Sequence, residues 1–515
     1  MGNNRAALLF IRRIFRPFSQ SPYFFVKILI LKIPIPPIIW PALLYLGGMA
    51  GLSYALHFNG LYGQDAHEYL RQSLLILGRL QGLPASPAAP GDAEIAGGYP
   101  LFAALLQYLG IQAILALQLV NWLAAAASLW LFERILNLLS PGTTARSRWV
   151  FAVGGLGLAP YFLRAAQTTM SDMLGLLFGL AALFFVLRLV EQERSRSDIW
   201  GFAVFAAMAI TTRYALAALL FLPALALVLE LRRTRRFNQI LAAGALGLLA
   251  CLPFWWLKSG APASPLAHSL LSDWSLFNLF KKTFTQASGA ISYSLPNLIY
   301  LLFPLLHPGF CLSMPALYFL AKKTDIRLYS KRLLLLSLIF YLLFLGGLPH
   351  QNLRYLLPAF AILALLFFPA WDRFFAYGFY FFKRLTYSLL GLALAGQLAF
   401  SVYVFRPVIV RNQLELQVAS QLKTALQPGD ILYAFDLDIA LKSYLPELEH
   451  RNLWVRAYDT FPTGSYILFN APKLREQWAG QLPMRNWEYA NTHFILQEVQ
   501  ALPEDWTLYQ VIDPK

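Results

Sequence analysis

Acidic residues are scarce in this chain: 26 aspartates and glutamates stand against 42 lysines and arginines, so a carboxylate beside an apolar run calls for a reason. Cysteine is scarcer still. Cys251 and Cys311 both lie in apolar segments, which excludes a disulfide framework and a thiolate metal site and leaves both as packing residues. There is no G-x-G-x-x-G or Walker pattern, so no nucleotide-phosphate loop is expected. Internal repeats and low-complexity tracts are missing too. No small-residue cleavage site follows the basic first 32 residues, so residues 1–36 read as an uncleaved cytoplasmic or interfacial segment.

What the chain has in abundance is apolar length. Of its 515 residues 58% are hydrophobic and 13% charged, and mean hydropathy is +0.53. Apolar runs near 37–57, 112–135, 148–169, 172–190, 199–212, 213–231, 238–257, 297–321, 333–349, 353–370 and 385–405 predict about eleven spans. The expected fold class is thus an α-helical polytopic membrane protein surrounded by membrane lipids. Before about residue 410 basic residues outnumber acids 33 to 13, and after it 9 face 13. The positive excess falls in short clusters between apolar runs, which is the pattern of cytoplasmic loops and excludes nucleic acid as the partner. Those clusters, "ARSR" (145–148), "RSRS" (194–197), "RRTRR" (232–236), "KKTDIRLYSKR" (322–332) and "KR" (383–384), place the amino terminus inside. An odd number of spans across a cell (inner) membrane then sends the tail outside.

Three regions follow: the basic segment 1–36, a transmembrane domain 37–409 with long outer loops at 58–98 and 258–296, and a tail 410–515. In the tail "NQLELQVASQLKTALQ" reads as an amphipathic helix, and "ILYAF", "SYILF", "HFILQEV" and "TLYQVI" read as short strands, together a small soluble α/β domain.

With this topology the outer acids are Asp65, Glu68, Asp92, Glu94, Asp172 and Asp273. Asp65 and Asp172 stand where the chain meets the membrane surface. Capping explains both as well: Asp65 suits the cap of a helix 66–81 with Glu68 completing a capping box, and Ser171 or Asp172 suits the cap of the next span. Arg164, Arg213 and Arg354 lie near outer span ends, where a single arginine is by default an interfacial anchor. Segment 199–231 alters that weighing for Arg213. Basic clusters flank it, so it must cross and return, yet two legs of about 16 residues reach only about 24 Å each, short of a ~30 Å core. The "TTRY" turn is therefore expected below the outer surface, lining a polar cavity. Three arginines on one side favour a bound anion, with Tyr214, Tyr355 and His350 beside them as candidate contacts. A metal is left open: His67, His268, His307 and His350 could join Asp65 or Asp172 around a divalent cation.

The motifs "GQDAHEYL", "GGYPLFAALLQYLG", "LRAAQTTMSDMLG", "TTRYALAALLFLPAL" and "RYLLPAFAILAL", in that order, resemble the GT-C membrane glycosyltransferases over nearly all of residues 37–405. The similar branch is that of the protein O-mannosyltransferases and aminoarabinose transferases. The resemblance implies a transferase taking a sugar, hexose or pentose, from a polyprenyl-phosphate carrier and passing it, with inversion, to a lipid, glycan or protein acceptor on the outer face. It implies Asp65 as general base, Asp172 as the second acid, which positions acceptor, sugar or a cation, and a small outer domain in the tail. Glu68 joins the acceptor contacts. Some branches pair two acids in the first loop, whereas Ala66 and His67 separate Asp65 from Glu68 here, which counts against protein mannosylation. Two rivals remain at the level of sequence: a lipid-linked polysaccharide ligase or polymerase, which uses a diphosphate-linked donor, and a secondary transporter with charges at the midplane.

Overall fold

The computed structural model describes residues 40–83, 96–191, 195–258, 273–286, 289–310, 328–381 and 383–515. The segment 1–36, Asp92, Glu94, His268, Cys311 and most of the 322–332 cluster lie outside the described residues. The chain divides into two compact units, Met1–Gly60 with Gln72–Phe405, and Leu61–Arg71 with Arg406–Lys515.

The first unit is helical. Its elements are α1 (Trp40–Ala55), the second half of α2 (Gly63–Leu80), α3 (Gly98–Tyr108), α4 (Ala113–Leu139), α5 (Ala145–Phe151), α6 (Pro160–Gln167), α7 (Asp172–Glu191), α8 (Arg196–Thr212), α9 (Leu216–Arg233) and α10 (Phe237–Lys258). A hairpin of β1 (Thr283–Gln286) and β2 (Gly289–Ser292) follows, then α11 (Tyr329–Gly346), α12 (Leu357–Phe381) and the start of α13 (Lys383–Ala425).

Six described helices are long and apolar enough to cross a membrane: α4, α7, α10, α11, the stretch Leu353–Ala376 and the stretch Tyr387–Ala425. The chain is a membrane protein, and among the described residues regular spans are fewer than the eleven apolar runs, for local chemical reasons. The run 148–169 is not one helix. A π-helical turn at Ala152–Gly157, containing Gly154 and Gly155, and then Pro160 break it into two pieces bent by 73°. The run 37–57 yields the 16-residue α1, and 199–231 yields α8 and α9 of 17 and 18 residues, none of which meets both length and apolarity. Of the run 297–321 only 297–310 is described, and it forms two single-turn helices, Asn297–Tyr300 and Phe303–Leu306.

Helices α7 and α8 form an antiparallel hairpin fastened at both ends by ion pairs of opposite order. Asp172 opens α7 and pairs with Arg213 just past α8, while Arg188 near the end of α7 meets Asp198 near the start of α8 at 2.5 Å. A Cβ at Gly201 would lie 2.7 Å from the Phe185 ring, so glycine lets the two helices approach there.

The second unit, which the end of α13 enters, is mixed α/β: β3 (Ile431–Ala434), α14 (Asp438–Tyr444), β4 (Glu449–Asn452), β5 (Tyr466–Phe469), α15 (Ala471–Trp478), α16 (Leu482–His493), β6 (Phe494–Ala501) and β7 (Thr507–Pro514). The sheet order is β4-β3-β5-β7-β6, with the first three strands parallel and the last two added antiparallel. Alternation along β3 sends Leu432 and Ala434 to one core with Val418, Leu422 and Trp506, and Tyr433 and Phe435 to another with Phe469, Met484 and Trp487. Four of the five strands lie where the apolar pieces of the tail predict them, and the polar β4, "EHRN", was not predicted. The amphipathic helix expected after residue 410 has no start of its own, because it continues the last apolar run as the single helix α13.

Candidate active site

Asp172 is the first residue of α7, and its side chain is 1% exposed. The loop before it is held from both sides. Thr169 donates its backbone N–H to the Gly60 carbonyl at 2.9 Å, and Asn121 of α4 donates to the Thr168 carbonyl. Gly60 has φ +85, and a Cβ on it would collide with the Thr169 side chain, so glycine is required both by backbone and by space.

Arg213 stands in the break between α8 and α9, in extended conformation (φ −153, ψ 104). The break exposes it to α7 at close range: a Cβ on Gly175 would lie 3.3 Å from the Arg213 Cβ, and a Cβ on Gly98 would strike Thr212. Two glycines in the motifs of the sequence thus have a packing reason. Arg213 is buried, donates from Nη1 to Asp172, and lies over the Tyr355 ring with Cζ 4.4 Å from its centroid.

Arg354 comes from a 3₁₀ turn, Leu353–Leu356, in which the Asn352 side chain accepts the Arg354 backbone N–H at 3.1 Å. Its Nε donates to the other carboxylate oxygen of Asp172 at 2.8 Å. The turn is itself supported from below: Tyr300 donates to the Asn352 carbonyl at 2.5 Å and Tyr341 to the Tyr355 carbonyl at 2.7 Å. Asn297 donates to the carbonyls of Gly346 and Leu348 at 3.0 and 2.9 Å. These three polar residues were missed by the sequence reading, although a buried Asn and two Tyr in apolar runs are the kind of signal that marks a support.

A cavity of about 230 Å³ opens beside the cluster, walled by Tyr161, Arg164, Thr168, Asp172, Gln351, Asn352 and Arg354. Two of the three expected arginines therefore converge on Asp172 and the third lines the same cavity. Asp172, Arg164 and Arg354 share the cavity wall, with Arg213 on the other oxygen of the same carboxylate. His350 stands edge-on to Tyr355 at 5.6 Å, and Tyr214, half-buried, follows Arg213 into α9.

Asp65 is placed differently. Helix α2 starts at Gly63, so Asp65 sits inside the first turn, exposed, rather than at the cap that the spacing predicts. Glu68 pairs with Arg71 one turn along instead of closing a capping box. Asp65 and Glu68 belong to the second unit and Asp172 to the first. His67 is fully buried, with Nε2 3.2 Å from Glu415, and its ring stands edge-on to Tyr444. Glu415 in turn receives Arg411 at 2.7 Å, Arg411 reaches Asp436 at 2.9 Å, and Lys473 reaches Asp436 at 3.2 Å. A chain of alternating charges thus runs from α2 to α15. In it burial works against the Asp436 carboxylate, but hydrogen bonds and charge from Arg411 and Lys473 outweigh burial and hold its pKa below the ordinary range. Two residues on, burial pushes Asp438 up to about 6 against the hydrogen bond from Asn452. His307 accepts the Gly309 backbone N–H at 3.0 Å. Among the described residues no three His, Cys, Asp or Glu side chains gather as a metal site.

No protein-family model and no curated protein matches the sequence. Solved structures do. The crystal structure of ArnT from Cupriavidus metallidurans in the apo state aligns with TM-score 0.56 and 13% identity over 90% of this chain and 96% of that one. The crystal structure of the same protein bound to undecaprenyl phosphate aligns with TM-score 0.58 and 14% identity over 95% and 98%. The chain shares the fold of ArnT.

Proposed function

We propose that the protein is an integral-membrane glycosyltransferase that moves a hexosyl or pentosyl group from a polyprenyl-phosphate carrier to a hydroxyl of a lipid, glycan or protein. The observation that carries this reading is Asp172, buried between Arg213 and Arg354 on the wall of a cavity that Arg164 also lines. A carboxylate so placed fixes two guanidinium forks, and guanidiniums held in place beside a cavity suit a lipid phosphate. The ArnT structure that holds undecaprenyl phosphate supports a carrier of that class.

In the proposed reaction the acceptor oxygen attacks the anomeric carbon, the bond from that carbon to the phosphate oxygen breaks, and the electron pair leaves with the polyprenyl phosphate. Arg213, Arg354 and Arg164 stabilise the charge that gathers there, and in a water-poor site such fixed donors act strongly. The acceptor's proton goes to Asp65, whose carboxylate is exposed on the first turn of α2. A positioned base of this kind contributes about 10²–10⁴ in rate. Direct displacement inverts the anomeric carbon. A bound cation is not needed for these steps, and Asp172, already holding two arginines, acts as their positioning residue.

We further infer that α1, the broken pair α5 and α6, α8, α9 and the segment 297–321 complete about eleven crossings, with the tail outside. The legs α8 and α9, near 26 Å each at 1.5 Å per residue, keep Arg213 at depth. A reporter enzyme active only in the cytoplasm, fused after Lys515, should stay silent; a working one would remove the outer-face reading.

The deciding experiment is mass spectrometry of membrane lipids and surface glycans with and without the protein. Accumulation of a polyprenyl monophosphate sugar and loss of one glycan decoration in its absence are expected. Accumulation of a diphosphate-linked glycan instead would favour the polysaccharide ligase, and no change in either pool would sink both.

A further inference from the structure

A second cavity, of about 630 Å³, lies between the ends of α4 and α7 and is lined by Trp130, Arg134, Asn137, Phe184, Arg188 and Glu191 among others. Asp172 opens α7 and Glu191 closes it, so this cavity sits about 30 Å of helix away from the first, at the opposite leaflet. Its size falls in the range of sites that hold small ligands.

The polar groups on its wall are unevenly matched. Arg188 is already bound to Asp198 at 2.5 Å and lies over the Phe184 ring at 5.7 Å. Arg134 lies over the Trp130 ring at 5.6 Å, and among the described residues no carboxylate pairs with it. The Trp130 Nε1 is buried and meets no acceptor. A guanidinium with no carboxylate partner thus lines the cavity beside the Asn137 side chain, which suits a phosphate. The one acid on the wall, Glu191, is exposed at the rim. A purely anionic head group would be repelled by it, whereas an ammonium would be drawn to it. The apolar remainder, Phe184 with Leu138, faces the same space, as acyl chains or a glycerol backbone require. Basic pockets between membrane helices at a leaflet surface are the physical setting for lipid head groups.

We propose that this cleft binds the head group of a zwitterionic phospholipid of the leaflet opposite the Asp172 cavity, with its phosphate on Arg134 and its ammonium on Glu191. The inference does not rest on the transfer reaction, because the two cavities share no residue.

The test is native mass spectrometry of the full chain in detergent, titrated with phosphatidylethanolamine, with phosphatidylglycerol and with inorganic phosphate. The zwitterionic lipid should bind most tightly and weaken about tenfold in Arg134→Gln, the scale of one charge-assisted hydrogen bond. Arg134→Lys, which keeps the charge without the fork, should retain part of the binding and serves as the second variant should Gln impair folding. Glu191→Gln should turn the preference toward phosphatidylglycerol. Equal binding of phosphatidylethanolamine by wild type and both Arg134 variants, a wild-type preference for phosphatidylglycerol, or adducts with inorganic phosphate alone would each overturn the proposal.

Discussion

Asp172 and Asp436 are each held by two cationic side chains, in different units of the chain, and their surroundings make them different objects. Asp172 is 1% exposed, and its arginines come from the break between α8 and α9 and from the 3₁₀ turn before α12, beside a cavity. Asp436 is 31% exposed and joins Arg411 of α13 to Lys473 of α15 within a longer run of charges. A pair of cations around an acid therefore identifies no site by itself. Depth does the rest, because a charge that water cannot reach must keep its partners, while a screened one can lose them cheaply.

The largest expected effect breaks the comparison at that point. Asp172→Ala strands two guanidiniums in the membrane part and should cost about 3–5 kcal/mol, the scale for breaking a buried pair. Asp436→Ala, partly screened, should cost at most about 1 kcal/mol. Thermal unfolding of the two variants in one detergent measures both, and similar losses would show that depth is not what separates them.

A second expectation sharpens the comparison in function. Asp65→Asn should leave unfolding temperature unchanged and lower glycosyl transfer by about 10²–10⁴, since an amide cannot accept a proton. Near-normal transfer at matched protein levels in membranes would leave Asp65 as an exposed first-turn acid interacting favourably with the helix end.

A smaller loss is expected from Arg213→Lys and Arg354→Lys, which keep the charge and lose the fork: about tenfold to a hundredfold weaker use of the donor, with Asp172 still neutralised. An equal loss in Arg411→Lys would deny that the Asp172 cluster is special.

The smallest effect separates two acids by pH. Asp438 has a folded pKa near 6, above its unfolded value, so its contribution to stability is full below the ordinary carboxylate range and is lost as pH rises through about 6. Asp436 has a folded pKa below its unfolded one, so its contribution is present at neutral pH and is lost only as pH falls below the ordinary carboxylate range. Asp438→Asn should therefore flatten the part of any decline in unfolding temperature that falls between about pH 4 and 6. A decline of the same size in the variant would assign it to another group.

How much of this was legible beforehand varies with the kind of residue. "TTRY" was readable because two legs flanked by basic clusters are too short to cross flat, and Arg213 does occupy a break between two short helices. Asp65 was misplaced by three residues, because Gly63 at φ +67 lets the helix begin early, and a cap motif cannot show where a glycine redirects the backbone. Gly98 and Gly175 gave no signal at all, since what they make room for comes from residues 212 and 213, far along the chain. His67 was grouped with metal ligands on type alone, and its partner, Glu415, lies 348 residues away.

By itself the sequence determined the membrane class, the apolar runs and four of the five strands of the tail. Hydropathy and charge act on each segment separately, so composition settles them. Only the tertiary structure decided which charges meet. Arg213 and Arg354 are 141 residues apart, and it takes a helix break, a 3₁₀ turn and two missing Cβ atoms to bring both to one buried carboxylate. Pairing in a low-dielectric interior depends on position to within an ångström, and no local rule along the chain carries that information.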